Sequence, residues 1–171
     1  NSDADLHAIK KTYSLEGIQY EIKYHNDIIQ INTNLLGEYN LYNLMASIAT
    51  CLSMNINLNN IKDALQCRLN IPGRMELVPC DSPGKVFIDY AHTPDACEKI
   101  FSTLSSLSYN GTKIYTVFGC GGNRDRHNRT LMANIIEKYS NYIIITTDNP
   151  RDESIEKINS DEIHVKLESQ K

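Results

Sequence analysis

Three polar clusters each follow an apolar run in this chain. They are Asp89-Tyr90-Ala91-His92, Gly119-Cys120-Gly121-Gly122 leading into Asn123-Arg124-Asp125-Arg126, and Asp148-Asn149-Pro150-Arg151. An arginine fork suits a carboxylate, because it makes two parallel charge-assisted hydrogen bonds. Arg124 and Arg151, with Asn149, would therefore suit an amino acid carrying several charged groups, and Asp148 could balance its ammonium. Each cluster alone also has a plainer reading. Asp89 could cap the following helix or end its strand, and His92 could be a turn histidine. The glycine run matches neither the Walker A spacing nor G-x-G-x-x-G. It is either a tight turn or, through successive N–H groups, an anion-binding nest. Arg124, Asp125, Arg126 and Arg129 read as a solvated charge run, the usual outcome for such residues. Asp148-Asn149-Pro150 reads as a turn initiator. Position raises the clusters above these readings, since ligands of open parallel sheets bind beyond the carboxyl ends of the strands.

The elements that must hold these clusters follow from periodicity. Lys11–Tyr13, Gln19–Tyr24 and Ile28–Ile31 are β-rich runs broken by Glu16-Gly17 and His25-Asn26-Asp27, which predicts a small antiparallel meander with one wet face. Leu41, Leu44, Met45, Ile48, Ala49 and Leu52 then recur as the buried face of a helix, with Asn40 and Asn43 off that stripe. A second helix is expected over Leu58–Leu69. Ile71-Pro72-Gly73 punctuates the chain, and a domain boundary is placed near Pro72–Pro79. Beyond it strands and helices alternate. Val86–Asp89 reads as a short buried strand. Thr93-Pro94 is an N-cap with proline at the first helical position, opening a helix whose inner face is Cys97, Ile100, Phe101, Leu104 and Leu107. Lys113–Phe118 is a strand, Leu131–Tyr139 a helix and Tyr142–Thr147 a strand. Strands this apolar, separated by helices, predict an α/β domain with a mostly parallel sheet covered on both faces. The charged stretch from Ser154 suits a helix, and the chain is expected to stop within a domain.

Bulk properties narrow the function classes. A hydrophobic fraction of 41% in 171 residues suits a globular protein with a real core. A net charge of -4 gives no electrostatic footprint for nucleic acid, and no apolar run approaches the length of a membrane helix. The chain begins with Asn1 rather than Met, which suggests a fragment, and lacks a secretory signal's layout. Cys51, Cys67, Cys80, Cys97 and Cys120 contain no CxxC pair, so reduced structural thiols and a cytoplasmic location are expected.

Taken in order, the motifs resemble those of the Mur ligases. Pro72-Gly73-Arg74-Met75-Glu76 and Asp89-Tyr90-Ala91-His92-Thr93-Pro94-Asp95-Ala96 resemble the junction and first strand–helix turn of that family's C-terminal domain. Phe118-Gly119-Cys120-Gly121-Gly122-Asn123-Arg124-Asp125-Arg126 is similar to its glycine-arginine loop. Asp148-Asn149-Pro150-Arg151 is similar to the signature of its diaminopimelate-adding branch. Leu36-Gly37-Glu38-Tyr39-Asn40-Leu41-Tyr42-Asn43 resembles the start of the ATPase-domain helix with paired asparagines. The resemblance implies residues 1–75 as the C-terminal part of a central ATP-binding domain, and 76–171 as a truncated, Rossmann-like amino-acid-binding domain.

It further implies an ATP-dependent ligase that joins meso-diaminopimelate to a UDP-muramoyl dipeptide through an acyl phosphate, as a monomer. Asn40 and Asn43 match adenine-side asparagines, Arg74 a nucleotide-contacting arginine, and Asp89 the acid that holds the ribose hydroxyls, with Tyr90 and His92 beside it. Arg124, Asp148, Asn149 and Arg151 match the diaminopimelate pocket, Arg151 answering the extra carboxylate. Asn123 departs from a common acid, His127-Asn128 from a Gly-Lys type pair, and Thr130 from a frequent proline. There is no phosphate-cradling lysine loop. The magnesium ligands, the modified lysine and the UDP-binding domain are expected before Asn1, and a Gly-Lys-Gly-His-Glu-type motif after Lys171. No catalytic or metal-ligating residue is assigned within the chain, which is expected to be inactive alone. The alternatives are a folylpolyglutamate synthetase-type ligase and a non-catalytic nucleotide-binding α/β module.

Overall fold

The computed structural model describes residues 4–67, 69–81, 83–109 and 111–163. They form two compact units, divided between Tyr90 and Ala91.

The first unit opens with β1 (Leu6–Ser14), β2 (Gly17–Tyr24) and β3 (Asp27–Thr33), an antiparallel meander in that order. Two-residue turns, Leu15-Glu16 and His25-Asn26, join the strands and fix the register at Ser14↔Gly17 and Tyr24↔Asp27. A bulge between Ile9 and Lys11 places Lys10 at φ 37° and bends the edge strand. Because side chains alternate across a strand, Ile18, Tyr20 and Ile22 of β2 share the inner face with Ile29, Ile31 and Thr33 of β3. That face packs on α1 (Glu38–Ser53) and α2 (Leu58–Gln66) through Leu41, Leu44, Ile48 and Ile61. Asn40 belongs to the buried stripe rather than lying off it: it is one turn before Leu44 and donates from Nδ2 to the Leu36 carbonyl at 2.8 Å. α2 starts at the Asn57 N-cap, whose side chain accepts from the Asn59 amide. It ends three residues before the expected Leu69, where Asn34 grips the Leu69 backbone by two hydrogen bonds, of 2.6 and 2.8 Å. Arg68 lies outside the described residues.

Two short strands complete this unit. β4 (Glu76–Val78), which no sequence signal announced, pairs antiparallel with β5 (Val86–Ile88). The expected strand Val86–Asp89 is thus one residue shorter, antiparallel rather than parallel in its pairing, and exposed at Val86 and Ile88.

The second unit alternates α3 (Pro94–Leu107), β6 (Tyr115–Phe118), α4 (Arg126–Tyr139), β7 (Tyr142–Ile145) and α5 (Ile155–Ile163). Thr93 caps α3 by accepting from the Ala96 amide at 3.3 Å. α4 begins five residues earlier than the apolar periodicity indicates, because Asp125 caps it by accepting from the His127 amide at 3.0 Å. β6 and β7 are parallel, in register from Tyr115↔Tyr142 to Phe118↔Ile145. The core gathers Cys97, Phe101, Cys120, Met132, Ile136 and Ile158, with Phe118 and Ile143 from the strands. Only one face of this strand pair is covered among the described residues. Tyr115, Val117, Tyr142 and Ile144 lie open on the other, the two tyrosine rings stacked 4.6 Å apart. The expectation of a sheet covered on both faces is corrected here, because α3, α4 and α5 all contribute to one core. The part of the charged tail after Ile163 lies outside the described residues.

The inner face of the meander should carry the stability of the first unit. Ile22 has no exposed surface and Ile28 is 57% exposed. Ile22→Ala is expected to cost about 3 kcal/mol and Ile28→Ala less than about 0.5 kcal/mol, measured by urea unfolding.

Candidate functional site

Two groups of site residues form, one in each unit. In the first unit the chain turns at Ile71–Arg74, where the Arg74 amide donates to the Ile71 carbonyl at 3.1 Å. Gly73 takes φ 64°, and its amide donates to the Glu76 carboxylate at 2.9 Å. Met75, buried, is held at φ 47°, a left-handed conformation that costs a non-glycine residue on the order of 1 kcal/mol. Asp89 holds it there: Oδ2 accepts from the Met75 amide at 2.8 Å, and the Tyr90 amide donates to the Gly73 carbonyl at 2.8 Å. Asp89 therefore neither caps a helix nor merely ends its strand. Its carboxylate welds the turn to the end of β5, and the Arg74 guanidinium lies 5.9 Å from the centre of the exposed Tyr90 ring.

Tyr39, in the first turn of α1, joins this group and was missed among the site residues. Its hydroxyl is buried without a hydrogen-bond partner among the described residues. Burial pushes its pKa up to about 12, with the Asp89 charge adding to the rise and Arg74 opposing it. Gly37 leaves room for the ring, since a Cβ there would fall 2.6 Å from it. Asn40 follows directly on α1, and one turn along sits the exposed Asn43, whose amide donates to Asn40 Oδ1 at 3.3 Å. Tyr39, Arg74, Asp89 and Tyr90 thus gather into an aromatic, charged group, with exposed Asn43 further along the helix that carries Tyr39. His92 belongs to the second unit, where it is exposed just before the Thr93 cap.

In the second unit, parallel pairing sends the chain out of β6 and β7 at the same end, so the second and third polar clusters meet. They meet backbone to backbone. A Cβ on Gly119 would fall 2.3 Å from the Thr146 carbonyl oxygen, and one on Gly122 would fall 1.7 Å from that of Pro150. The Gly122 amide donates to the Asn149 carbonyl at 2.8 Å, and the Asn123 amide to Glu153 Oε1 at 2.9 Å. With those two amides engaged, the glycines serve close approach of the loops rather than an anion nest. Asn149 makes an Asx turn, its Oδ1 accepting from the Arg151 amide at 3.3 Å, and Arg151 takes φ 48°. The Arg151 guanidinium donates to the Gly122 carbonyl.

Gly121 has the Asp148 carboxylate and the Arg151 guanidinium at 3.5 and 3.6 Å from where its Cβ would stand. Asp148, Asn149 and Arg151 are therefore assembled over the glycine loop, exposed, with exposed Arg124 following on that loop. Arg129 is not part of a solvated charge run. It is buried on the α4 face that carries Met132, Ala133 and Ile136, and it pairs with Glu153 at 2.8 Å. That hydrogen bond holds the Glu153 carboxyl below its ordinary pKa. The surface can present a cationic fork and a carboxylate side by side, the complement of an amino acid with charges of both signs.

Comparison with known proteins bears on both groups. Residues 73–168 match the family model "Mur ligase, glutamate ligase domain". The UDP-N-acetylmuramoyl-L-alanyl-D-glutamate–2,6-diaminopimelate ligase of Aquifex aeolicus is 45% identical over 157 residues, 92% of this chain and 32% of that protein. A solved structure of a ligase of that name aligns with TM-score 0.64 at 33% identity, over 96% of this chain and 33% of that one. The crystal structure of folylpolyglutamate synthase from Thermotoga maritima aligns with TM-score 0.78 at 19% identity, over 95% of this chain and 38% of its own. At that identity the likeness concerns the fold alone. The chain spans about a third of the length of the curated relatives it matches.

Two outcomes are expected of these groups. Tyr39 should ionise near 12 rather than 10, so its neutral form stabilises the fold below pH 10 and that contribution is lost as pH rises through 12. Alkaline absorbance titration should show Tyr39→Phe removing one of the late phenol steps. Gly122→Ala, forced against Pro150, should cost about 2 kcal/mol in urea unfolding. Gly121→Ala, whose methyl meets ordinary contacts at 3.5 Å, should cost less than about 1 kcal/mol.

Proposed function

The chain belongs to the Mur ligase family, and from that premise we propose that it is part of an ATP-dependent ligase adding meso-diaminopimelate to UDP-N-acetylmuramoyl-L-alanyl-D-glutamate. The observation that carries this is the assembly of Asp148, Asn149 and Arg151 over the Gly121-Gly122 loop. Diaminopimelate is an amino acid at both ends, with two ammonium and two carboxylate groups. Arg151 supplies the fork for the carboxylate that lysine lacks, Asp148 receives an ammonium, Asn149 offers an amide to either, and Arg124 adds a second cation. The names of the relatives support the same substrate.

The first group is assigned to the nucleotide. Bound ATP would supply the phosphoryl group that activates the dipeptide carboxylate for attack by the incoming amine. Asp89 would accept hydrogen bonds from the ribose hydroxyls, its carboxylate already aimed by the Met75 amide. Arg74 would lie along the phosphates or stack with Tyr90, and the exposed Asn43, held by the buried Asn40, would face the adenine. His92 is assigned to the nucleotide as well. Tyr39 brings a buried hydroxyl to the same place. Among the described residues no group of three or more His, Cys, Asp or Glu side chains is arranged to hold a metal ion, so no step is derived for Mg2+ from this chain.

Residues 1–75 are assigned to the ATP-binding domain and 76–171 to the amino-acid-binding domain. The start of the family match at Gly73 supports this boundary, whereas compactness divides the chain after Tyr90. The enzyme is read as a cytoplasmic monomer acting on small molecules, without nucleic acid or membrane insertion. Five free cysteines suit a reducing compartment.

The test is ligation of UDP-muramoyl dipeptide by the intact protein that carries this chain, with diaminopimelate and lysine in parallel. Diaminopimelate should be the substrate, and Arg151→Ala should lower kcat/KM for it by roughly tenfold to a hundredfold, the loss of a charge-assisted hydrogen bond. Preference for lysine would refute the role of Arg151. Ligation of neither, with glutamate added instead to a folyl acceptor supplied in its place, would favour the folylpolyglutamate synthase-type reading.

A further inference from the structure

The charged residue that reaches none of the exposed ligand positions is the most deeply buried one. Arg129 is 1% exposed at the base of the two loops. Taking a guanidinium out of water is costly, and an apolar side chain of similar volume would fill the site at least as well. What an apolar residue could not do is bind both loops at once. Arg129 Nη1 donates to Glu153 Oε2 at 2.8 Å, and Nη2 donates to the Gly121 carbonyl at 3.2 Å. The other oxygen of Glu153 accepts from the Asn123 amide at 2.9 Å, and its neighbour Asp152 accepts from the Asn123 side chain at 3.0 Å.

These bonds close a ring: α4 to Gly121, Gly121 through the chain to Asn123, Asn123 to Glu153, and Glu153 back to α4. Asn123, at φ 52°, is bent into the left-handed region where the ring closes. The ring encloses the segment before Arg124 and meets the segment after Arg151, the two places from which the amino-acid-binding side chains project. A planar fork with two directed donors suits this geometry, and an ammonium would not.

We infer that Arg129 and Glu153 are positioning residues for amino-acid recognition: by clamping the loop after β6 to the loop after β7, they set the separation of Asp148, Arg151 and Arg124, and with it the discrimination between diaminopimelate and lysine. The inference rests on the proposed diaminopimelate ligation. It assigns specificity to a buried pair that touches no substrate.

Glu153→Gln is the informative variant, because Glu153 lies at the rim and the change keeps its shape while removing the charge that Arg129 requires. In the intact protein, KM for diaminopimelate should rise about tenfold. KM for ATP and for the UDP-dipeptide should stay within about twofold, and the preference for diaminopimelate over lysine should fall by a similar factor. Hydrogen exchange in the same variant should quicken at the Gly122 and Asn123 amides and stay unchanged in the β1–β3 meander. Arg129→Lys, which retains the charge and loses the fork, should shift the same KM in the same direction.

A merely structural role would lower the amount of active enzyme and leave all three KM values where they were. That result, or unchanged exchange at Gly122 and Asn123, overturns the inference while wild-type ligation of diaminopimelate stands. A wild type that does not ligate diaminopimelate overturns the proposed function and this inference together, and is seen before any variant is made.

Discussion

The arrangement in the second unit depends on one close contact, the passage of Gly122 beneath the Pro150 carbonyl. Parallel pairing of β6 and β7 brings two loops out side by side, but adjacency alone would leave them separated by their own side chains. Absence of a Cβ at Gly119 and Gly122 lets backbone meet backbone, and the Gly122 amide then finds the Asn149 carbonyl. Once that approach is fixed, the Asx turn of Asn149 and the left-handed Arg151 direct the third cluster over the glycine loop.

The first unit solves a similar problem with a different device. There a strained turn, not a glycine contact, sets the geometry: Met75 is held left-handed and buried, and the Asp89 carboxylate accepts its amide. An acid used this way has its orientation set by the backbone it binds. The neighbouring Tyr39 hydroxyl is buried without a hydrogen-bond partner among the described residues, a state that costs free energy.

Sequence pattern revealed elements wherever apolar periodicity ran long enough to show a face. The meander, α1, α3 and β7 follow from alternation, from the Leu41 stripe, from Thr93-Pro94 and from Tyr142–Ile145. It revealed less where a side chain overrules propensity. α2 stops at Gln66 because Asn34, far away in sequence, takes the Leu69 backbone. β4 is three residues long, bounded by turn residues, and becomes a strand only by pairing with β5. Of the candidate site residues, Asp148, Asn149 and Arg151 are brought together with the glycine loop, and Asp89 with Arg74 and Tyr90. Tyr39 escaped notice because nothing in Glu38-Tyr39-Asn40 signals a hydroxyl that will be buried beside a distant acid.

The run Arg124 to Arg129 shows why such residues resist reading by composition. Its charged members look interchangeable until Asp125 is recognised as a helix cap. From that point the period of α4 decides each fate. Arg129 falls on the side that continues through Met132, Ala133 and Ile136 and must go inward, whereas Arg126 lies exposed in the first turn and Arg124 precedes the cap. An inward arginine needs an acid, and Glu153 stands at the exit of the neighbouring loop to provide it. The same helical geometry that packs the core therefore also separates the buried arginine that joins the loops from the exposed arginine that precedes the helix cap. A signal for this was present: an arginine three and seven residues before apolar positions of a capped helix belongs to the buried stripe, and its charge then demands a partner elsewhere in the chain.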